Sequence, residues 1–256
     1  MNNLRLRVTS TNNLNAFLKK LKVVDRSVLL ELTEDKIFSK VHTPDKSVMK
    51  YAAIENSSVF EDIQGWEDLG TDRIIIGIMD ITRLMDSFRY YRPEEEVFLN
   101  FSLSEVDGKV SATMVVVESD SLKIKIRCAD MNLLSYVEDK VLGMVHDKDS
   151  ANGNFKIYSS DFTSLASLCG MESDSQELLK FTIAPKKVQT SGNSFDYTLN
   201  MSAKDIKVKE ELVSKIYKSQ LNYVDLESST IYIHDNRLVI FSDQSETSTA
   251  VGIIEE

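Results

Sequence analysis

Apolar and polar residues alternate along many short segments of the chain. Five of these segments are rich in β-branched and aromatic residues, which is typical of half-buried strands; they lie at 4–9, 27–32, 37–42, 47–54 and 73–78. A longer alternating segment is interrupted by Asp107-Gly108, a pair that readily adopts the positive φ of a tight turn, and it predicts a hairpin. A further strand is predicted over 121–129. The pattern therefore predicts a chain dominated by short strands.

Four other segments repeat their apolar residues at helical spacing. In the first, Leu14, Phe17, Leu18 and Leu21 form the stripe of one helix face. The second begins with Asp80, a residue that is well suited to cap a helix N-terminus. We therefore predict helices at 14–21, 80–91, 160–170 and 209–221.

The order of these elements in the first half of the chain recurs in the second half. A strand followed by a helix at 4–21 recurs at 155–170, and the similar pair at 72–88 recurs at 204–220. The second copy also ends in a predicted hairpin, which turns at Asp235-Asn236. A displacement of about 130 to 150 positions indicates an internal duplication. We predict two similar domains, joined by a connector; the boundaries are 1–129, 130–153 and 154–256.

The composition is that of an acidic, soluble globular protein. Asp and Glu number 40 against 30 Lys and Arg, a formal net charge of -10, which normally keeps a protein away from DNA and anionic membranes. Cys128 and Cys169 lie in or beside apolar runs and are predicted to be core thiols. We find no signal peptide and no membrane span in the sequence, and therefore expect a cytoplasmic protein.

The sequence holds no recognisable catalytic constellation. Its 3 histidines have no ligand spacing, and the phosphate-binding, dinucleotide-binding and hydrolase motifs are missing. We therefore predict a protein that is not an enzyme and has no cofactor or metal site.

Basic residues gather on the predicted helices. Lys19, Lys20 and Lys22 lie opposite or beside the apolar stripe of the first helix, where no carboxylate neutralises them. The second helix carries Arg83 and Arg89, the fourth carries Lys215 and Lys218, and the third has no basic residue. One interpretation is a set of solvated helix faces. The other is a surface that contacts DNA phosphates without reading bases, for which the flexible point charge of lysine is suited.

Several stretches resemble the sliding clamps of DNA replication, proliferating cell nuclear antigen and especially the clamps of the bacteriophage T4 type. These are "FLKKLKVVDRSVLLELTEDKIFSKVH" (17–42), "IIIGIMDITRLMDSF" (74–88), "NLLSYVEDKVLG" (132–143) and "AVGIIEE" (250–256). The resemblance implies an α+β clamp fold with two similar domains, each with two helices packed on antiparallel β-sheets. It also implies a head-to-tail ring of three subunits, in which strand 121–127 pairs with 195–201 of the next subunit.

The resemblance further implies partners and contact residues. The partners would be double-stranded DNA without sequence specificity, a DNA polymerase and a clamp loader ATPase, in the host cytoplasm if the protein is viral, with no membrane involved. DNA would be faced by Lys19, Lys20, Lys22, Arg83, Arg89, Lys215 and Lys218. A pocket for partner peptides would be lined by Leu134, Val137, Val141 and Leu142 in the connector, with Val251, Ile253 and Ile254 in the tail.

Other functions stay open at this point. One is a monomeric DNA-binding processivity factor of the same fold, which would hold DNA by affinity and would need a stronger basic face. Another is a β-rich structural or interaction protein, or an enzyme, with no role on DNA. The mass under native conditions discriminates the ring from the monomer.

Overall fold

The computed structural model describes residues 3–92, 94–106, 108–134, 137, 148–170, 177–192, 198–225, 228–234, 238–243 and 246–252. The chain is a mixed α+β protein with long sheets and short helices. Its contacts divide it into two compact units. Unit 1 comprises residues 1–41 and 51–137, and unit 2 comprises residues 42–50 and 138–256. The domain boundaries from the sequence stay a prediction, since residues 138–147 of the connector lie outside the described ranges.

The first half of the chain contributes nine strands and two α-helices within the described ranges. The elements are β1 Asn3–Val8, α1 Thr11–Lys22, β2 Val28–Leu32, β3 Lys36–His42, β4 Val48–Glu55, β5 Phe60–Gln64, β6 Ile74–Ile78, α2 Ile81–Ser87, β7 Val97–Val106, β8 Lys109–Glu118 and β9 Lys123–Arg127. The unit 1 sheet has the order β3-β2-β6-β8-β7-β1-β5, with β9 paired to β8. The predicted hairpin is confirmed as β7 and β8, and Gly108 has a φ of 72° in its turn.

The helices of unit 1 form because their apolar residues fall on one face. Ser10 caps α1 by accepting the backbone N–H of Asn13 at 3.2 Å, which satisfies one of the unpaired donors of the first turn. The predicted stripe of α1 is fully confirmed, since all four residues are buried. Each buried leucine of such a stripe stabilises the fold by about 1.5–3 kcal/mol. Asp80 caps α2 as predicted, accepting the N–H of Thr82 at 3.0 Å.

The second half of the chain repeats this order with β10 Gly153–Lys156, α3 Ser159–Gly170, β11 Leu178–Ala184, β12 Lys187–Gly192, β13 Thr198–Met201, β14 Lys204–Val208, β15 Leu212–Tyr217, β16 Thr230–His234, β17 Leu238–Ser242 and β18 Ser248–Gly252. Unit 2 has one sheet with the order β14-β10-β16-β17-β18 and a second with the order β13-β12-β11-β15. Its core includes edge-to-face pairs of Phe241 with Phe162 and Phe181, at ring-centroid distances of 6.0 and 6.3 Å. The turn predicted at Asp235-Asn236 lies outside the described residues, but β16 and β17 pair on either side of it.

The fourth predicted helix is wrong. Residues 212–217 form strand β15, and the helical segment comes later, as a 3-10 turn over Lys218–Tyr223. The segment alternates in exposure: Ser214 and Ile216 are buried, while Val213 and Tyr217 are exposed. Its apolar residues fit both a helical and a strand pattern, and pairing along β11 decides for the strand. The helical segment after the sixth strand is therefore an α-helix in the first half and a 3-10 turn in the second.

Cys128 lies just beyond β9, where it is half-buried rather than part of the fully buried core that was predicted for it. Burial raises the pKa of its thiol to about 12. The side chain of Cys169 lies outside the described residues.

Candidate nucleic-acid interface

The densest group of basic residues lies in the last turn of α1. Lys19 is exposed there, and Lys20 and Lys22 are half-buried. Positive charge at this end of a helix is favourable because the unpaired carbonyl groups give it a partial negative charge. Neither Lys19 nor Lys22 pairs with a carboxylate among the described residues, and the next acid along the chain, Asp25, accepts the N–H of Ser27 at 2.8 Å. The charge of these two lysines is therefore available to an external anion.

Two exposed arginines lie nearby, Arg83 on α2 and Arg89 in the 3-10 turn Phe88–Tyr90 that follows it. The Arg83 side chain is 81% exposed and lies 3.9 Å from Asp80, and that of Arg89 is 75% exposed and lies 3.1 Å from Asp86. Exposed pairs of this kind contribute only about 0–1 kcal/mol, so a phosphate could replace either acid at little cost. Because α1 and α2 contact each other and the 3-10 turn follows α2 directly, these basic residues belong to one helical layer of unit 1.

An exposed tyrosine accompanies these arginines. Tyr90, directly after Arg89, is 70% exposed and was not among the site residues predicted from the sequence. Its signal in the sequence was the aromatic pair at the end of the second predicted helix.

The two basic residues assigned to the fourth helix have different surroundings. Lys215 lies in β15, in register with Lys180 of β11. Lys218 is buried, and its Nζ lies 4.0 Å from Oε2 of the buried Glu177. Since the expected helix is a strand here, these lysines do not share a helix face, and a role for them on DNA stays a prediction with weaker support.

The surface of α3 is neutral apart from one acid. Its exposed hydroxyl side chains turn back on the helix: Thr163 donates to the carbonyl of Ser159 at 2.8 Å and Ser164 to that of Ser160 at 2.9 Å. Asp161, in the first turn, accepts the N–H of Ser202 at 3.0 Å. The basic residues on the described α-helices are therefore concentrated in unit 1.

Three of the residues predicted to line the peptide pocket lie in the described part of the chain. In unit 1, Leu134 and Val137 are 8% and 5% exposed. In unit 2, Val251 is fully buried in the core that also contains Phe155 and Phe241. The other four residues of the predicted pocket, Val141, Leu142, Ile253 and Ile254, lie outside the described residues.

Strands β17 and β18 carry a second apolar group on the face opposite the unit 2 core, and this group was not predicted from the sequence. Ile240 and Ala250 are buried there, and partly buried Met49, Tyr232 and Leu238 pack on them. Alternation along β17 and β18 is the signal that could have revealed it, since the neighbouring residues enter the core. This group forms a small apolar patch on unit 2.

Strand β9 exposes one edge. It pairs only with β8 among the described strands, and β13 pairs only with β12. The Cys128 N–H donates to the Thr113 carbonyl at 3.0 Å and the Ser119 N–H to the Leu122 carbonyl at 2.9 Å. Antiparallel partners exchange bonds at every second position, so the N–H groups of 123, 125 and 127 point to the open edge. Such an edge invites pairing with another strand.

The described part of the chain shows neither a metal-binding cluster nor a membrane-spanning helix. No group of three or more His, Cys, Asp or Glu side chains there could hold a metal ion. No helix among the same residues has the length and apolar character needed to cross a membrane.

Comparison with solved structures identifies a known fold with this architecture. No protein-family model and no curated protein matches the amino-acid sequence. Among solved structures, the proliferating cellular nuclear antigen of Entamoeba histolytica aligns with a TM-score of 0.71 at 11% identity, over 98% of this chain and 99% of that chain. The antigen of Thermococcus kodakaraensis aligns with a TM-score of 0.69 at 11% identity, over 98% and 100%.

A third structure, the antigen of A. fulgidus bound to the C-terminal region of FEN-1, aligns with a TM-score of 0.67 at 13% identity, over 99% of both chains. The α+β clamp fold that the sequence predicts is therefore confirmed. This chain has the fold of proliferating cell nuclear antigen.

Proposed function

We propose that the protein is a sliding clamp, a non-enzymatic processivity factor that encircles duplex DNA and tethers a polymerase. The observation that carries the proposal is the basic layer of α1 and α2 in an acidic chain of clamp fold. Lysines and arginines on that layer would meet phosphates as point charges, which binds any sequence equally. The acidic remainder would disfavour DNA elsewhere on the protein.

The ring itself is a proposal that the strand edges support. A head-to-tail ring of three copies would pair the open edge of β9 with that of β13 in the next copy, and it would leave neither edge exposed. Strand β9 presents Lys123, Lys125 and Arg127 on one side and two isoleucines on the other. A closed ring retains DNA by topology, so it needs no tight contact with it.

The partners follow from the same proposal. A polymerase and an ATP-driven loader would dock on the clamp, and one of the similar structures is itself bound to a segment of FEN-1. The peptide pocket along the connector and tail stays a prediction, as do a viral origin and a location in the host cytoplasm.

The test uses threading over DNA ends, which needs no loader. A linear duplex with biotin at both ends is incubated with the protein, and streptavidin is added either before or after the protein. A ring threads over free ends, so only late addition should trap it on the DNA through a wash at high salt.

The alternatives predict other results. A monomer that holds DNA by affinity is released by salt in both orders of addition. A protein with no role on DNA is retained in neither. Equal retention in both orders would contradict a topological tether.

A further inference from the structure

Tyr90 presents an aromatic ring to solvent at the end of the helical layer of unit 1. The residue is 70% exposed, and its side chain makes no hydrogen bond or ring contact among the described residues. Single exposed aromatic residues are common on protein surfaces, so exposure alone does not indicate a role. The surroundings of this ring do, because its backbone is anchored and exposed arginines lie beside it.

The backbone is anchored on both sides of Tyr90. Phe88, the first residue of the 3-10 turn, is 6% exposed and holds the turn against the core. On the other side, the Tyr91 hydroxyl donates to the Val117 carbonyl of β8 at 2.6 Å. A tyrosine side chain has few rotatable bonds, so a ring on this anchored turn has little conformational freedom to lose when a ligand covers it.

Basic residues extend along the layer toward this ring. The Ile81 N–H donates to the Arg26 carbonyl at 2.9 Å, which holds the start of α2 against the chain that follows α1. The lysines of the last α1 turn therefore lie near the start of α2, whereas Arg89 and Tyr90 lie beyond its end. From Ile81 to Tyr90 the backbone rises by about 15 Å, which corresponds to about four base-pair steps of a duplex. A duplex that contacts the basic residues along this length has its next nucleotides beside Tyr90.

Three glutamates follow the turn, and two of them are engaged with the sheet. The Glu95 carboxylate accepts two serine hydroxyls of the segment between β8 and β9, at 2.9 and 2.8 Å. Glu96 lies 3.4 Å from a guanidinium nitrogen of Arg7 in β1. The third, Glu94, is exposed, as is Arg92 two positions earlier. None of these acids covers the ring, which stays open to a nucleic acid strand.

We propose that Tyr90 stacks on the first unpaired base beside a duplex while Arg83 and Arg89 contact phosphates, so that the protein recognises a junction between double-stranded and single-stranded DNA. A base inside a duplex is stacked between its neighbours, whereas an unpaired base offers a free face to an aromatic side chain. Every base has such a face, so the contact is independent of sequence. Adjacent guanidinium and aromatic groups suit the adjacent phosphate and base of one strand. The inference rests on the proposed function, since it takes the duplex to lie on the layer of α1 and α2.

The test uses two DNA molecules that share one duplex and differ only in a single-stranded extension. The extension carries thymines in one and abasic sites in the other, so the number of phosphates is the same and the difference in affinity reports the bases. Both are prepared with 5′ and with 3′ extensions, and fluorescence anisotropy at low salt measures their binding to the full-length protein. In one of the two polarities, the thymine extension should bind at least about fivefold more tightly than its abasic counterpart.

Three variants isolate the aromatic face. Tyr90→Leu keeps an apolar side chain but removes the face, so it should bind the thymine and abasic extensions equally. Tyr90→Phe retains the face and should retain the preference for thymines. Tyr217→Leu changes another exposed tyrosine, in β15 of unit 2, and as the matched control it should also retain the preference.

Photocrosslinking identifies the side chain that touches the base. The extension carries 5-iodouracil at its first unpaired position, and the complex with the native protein is irradiated. Mass spectrometry of the digested complex should locate the crosslink at Tyr90.

Three results would overturn the inference: no preference of the native protein for thymines in either polarity, a preference that survives in Tyr90→Leu, or a crosslink at another residue. The first and third use the native protein, so they decide the question even if Tyr90→Leu does not fold. Trapping on a duplex with blocked ends involves no unpaired base. A protein that is trapped there but shows no preference for thymines contradicts this inference alone, and one that prefers thymines but is not trapped contradicts only the topological tether.

Discussion

At the scale of residues, the lysines of the last α1 turn have two physical roles that can be separated. They complement the partial negative charge of the helix end, which stabilises the fold by about 0.3–1 kcal/mol per residue. They also leave charge available to phosphates, since Lys19 and Lys22 have no carboxylate partner among the described residues. The first role is independent of DNA, and the second is visible only in its presence.

Replacing all three lysines, Lys19, Lys20 and Lys22, by alanine should weaken DNA binding with only a modest loss of stability. The slope of log K against log salt should fall by about 0.9 for each phosphate that the variant no longer neutralises. Fluorescence anisotropy of a labelled duplex over a salt series gives the slope, and thermal unfolding gives the stability.

A matched control removes the same charge elsewhere. Lys204, Lys207 and Lys209, all exposed on or beside β14 of unit 2, are changed together to alanine. The control should leave the salt slope nearly unchanged. If both triple variants lower the slope equally, net charge rather than the helix face governs binding.

At the scale of elements, the sequence predicts those features of helices and turns that are determined by residues close together in the chain. The stripe of α1, the N-cap of α2 and the hairpin turn at Gly108 all follow from neighbouring residues, and all are confirmed. The prediction of the fourth helix is wrong because residues 212–217 fit both the helical and the strand periodicity. Pairing with β11, which is distant in the chain, makes this segment a strand. The same limit applies to the close approach of Gly77 in β6 to Ala129, which follows it by more than fifty positions along the chain.

That contact yields a prediction for Gly77→Ala. The added Cβ would lie 2.5 Å from the Ala129 oxygen, so the chain after β9 must shift or the bond to β6 must break. We expect a loss of about 1–3 kcal/mol in the free energy of unfolding, as for other overpacked sites. Urea unfolding measures it.

Gly252→Ala provides the control for that experiment. Its added Cβ would meet the Ser47 oxygen at 3.5 Å, an ordinary van der Waals distance. It should therefore unfold at nearly the native urea concentration. An equally small effect for Gly77→Ala would mean that the chain after β9 is not held against β6.

At the scale of the whole molecule, the central question is whether the open strand edges assemble a ring. A proline at Lys125 removes one N–H that points to the open edge of β9 and leaves the bonds to β8 intact, because those come from the even-numbered residues. Edge strands tolerate proline in this orientation. Lys125→Pro should therefore fold normally but lose assembly, whereas Lys125→Ala keeps the N–H and should still assemble.

Native mass spectrometry at micromolar concentration reports the result directly. The native protein and Lys125→Ala should have three times the chain mass of 29.0 kDa, and Lys125→Pro should have that of one chain. Circular dichroism verifies that the proline variant retains its strands. If the native protein has the mass of a single chain, the ring proposal is wrong, and a monomer that holds DNA by affinity is favoured. A proline variant that remains trimeric would keep the ring but place its contacts away from the β9 edge, because a strand pairing there cannot lose its central donor without loss of affinity.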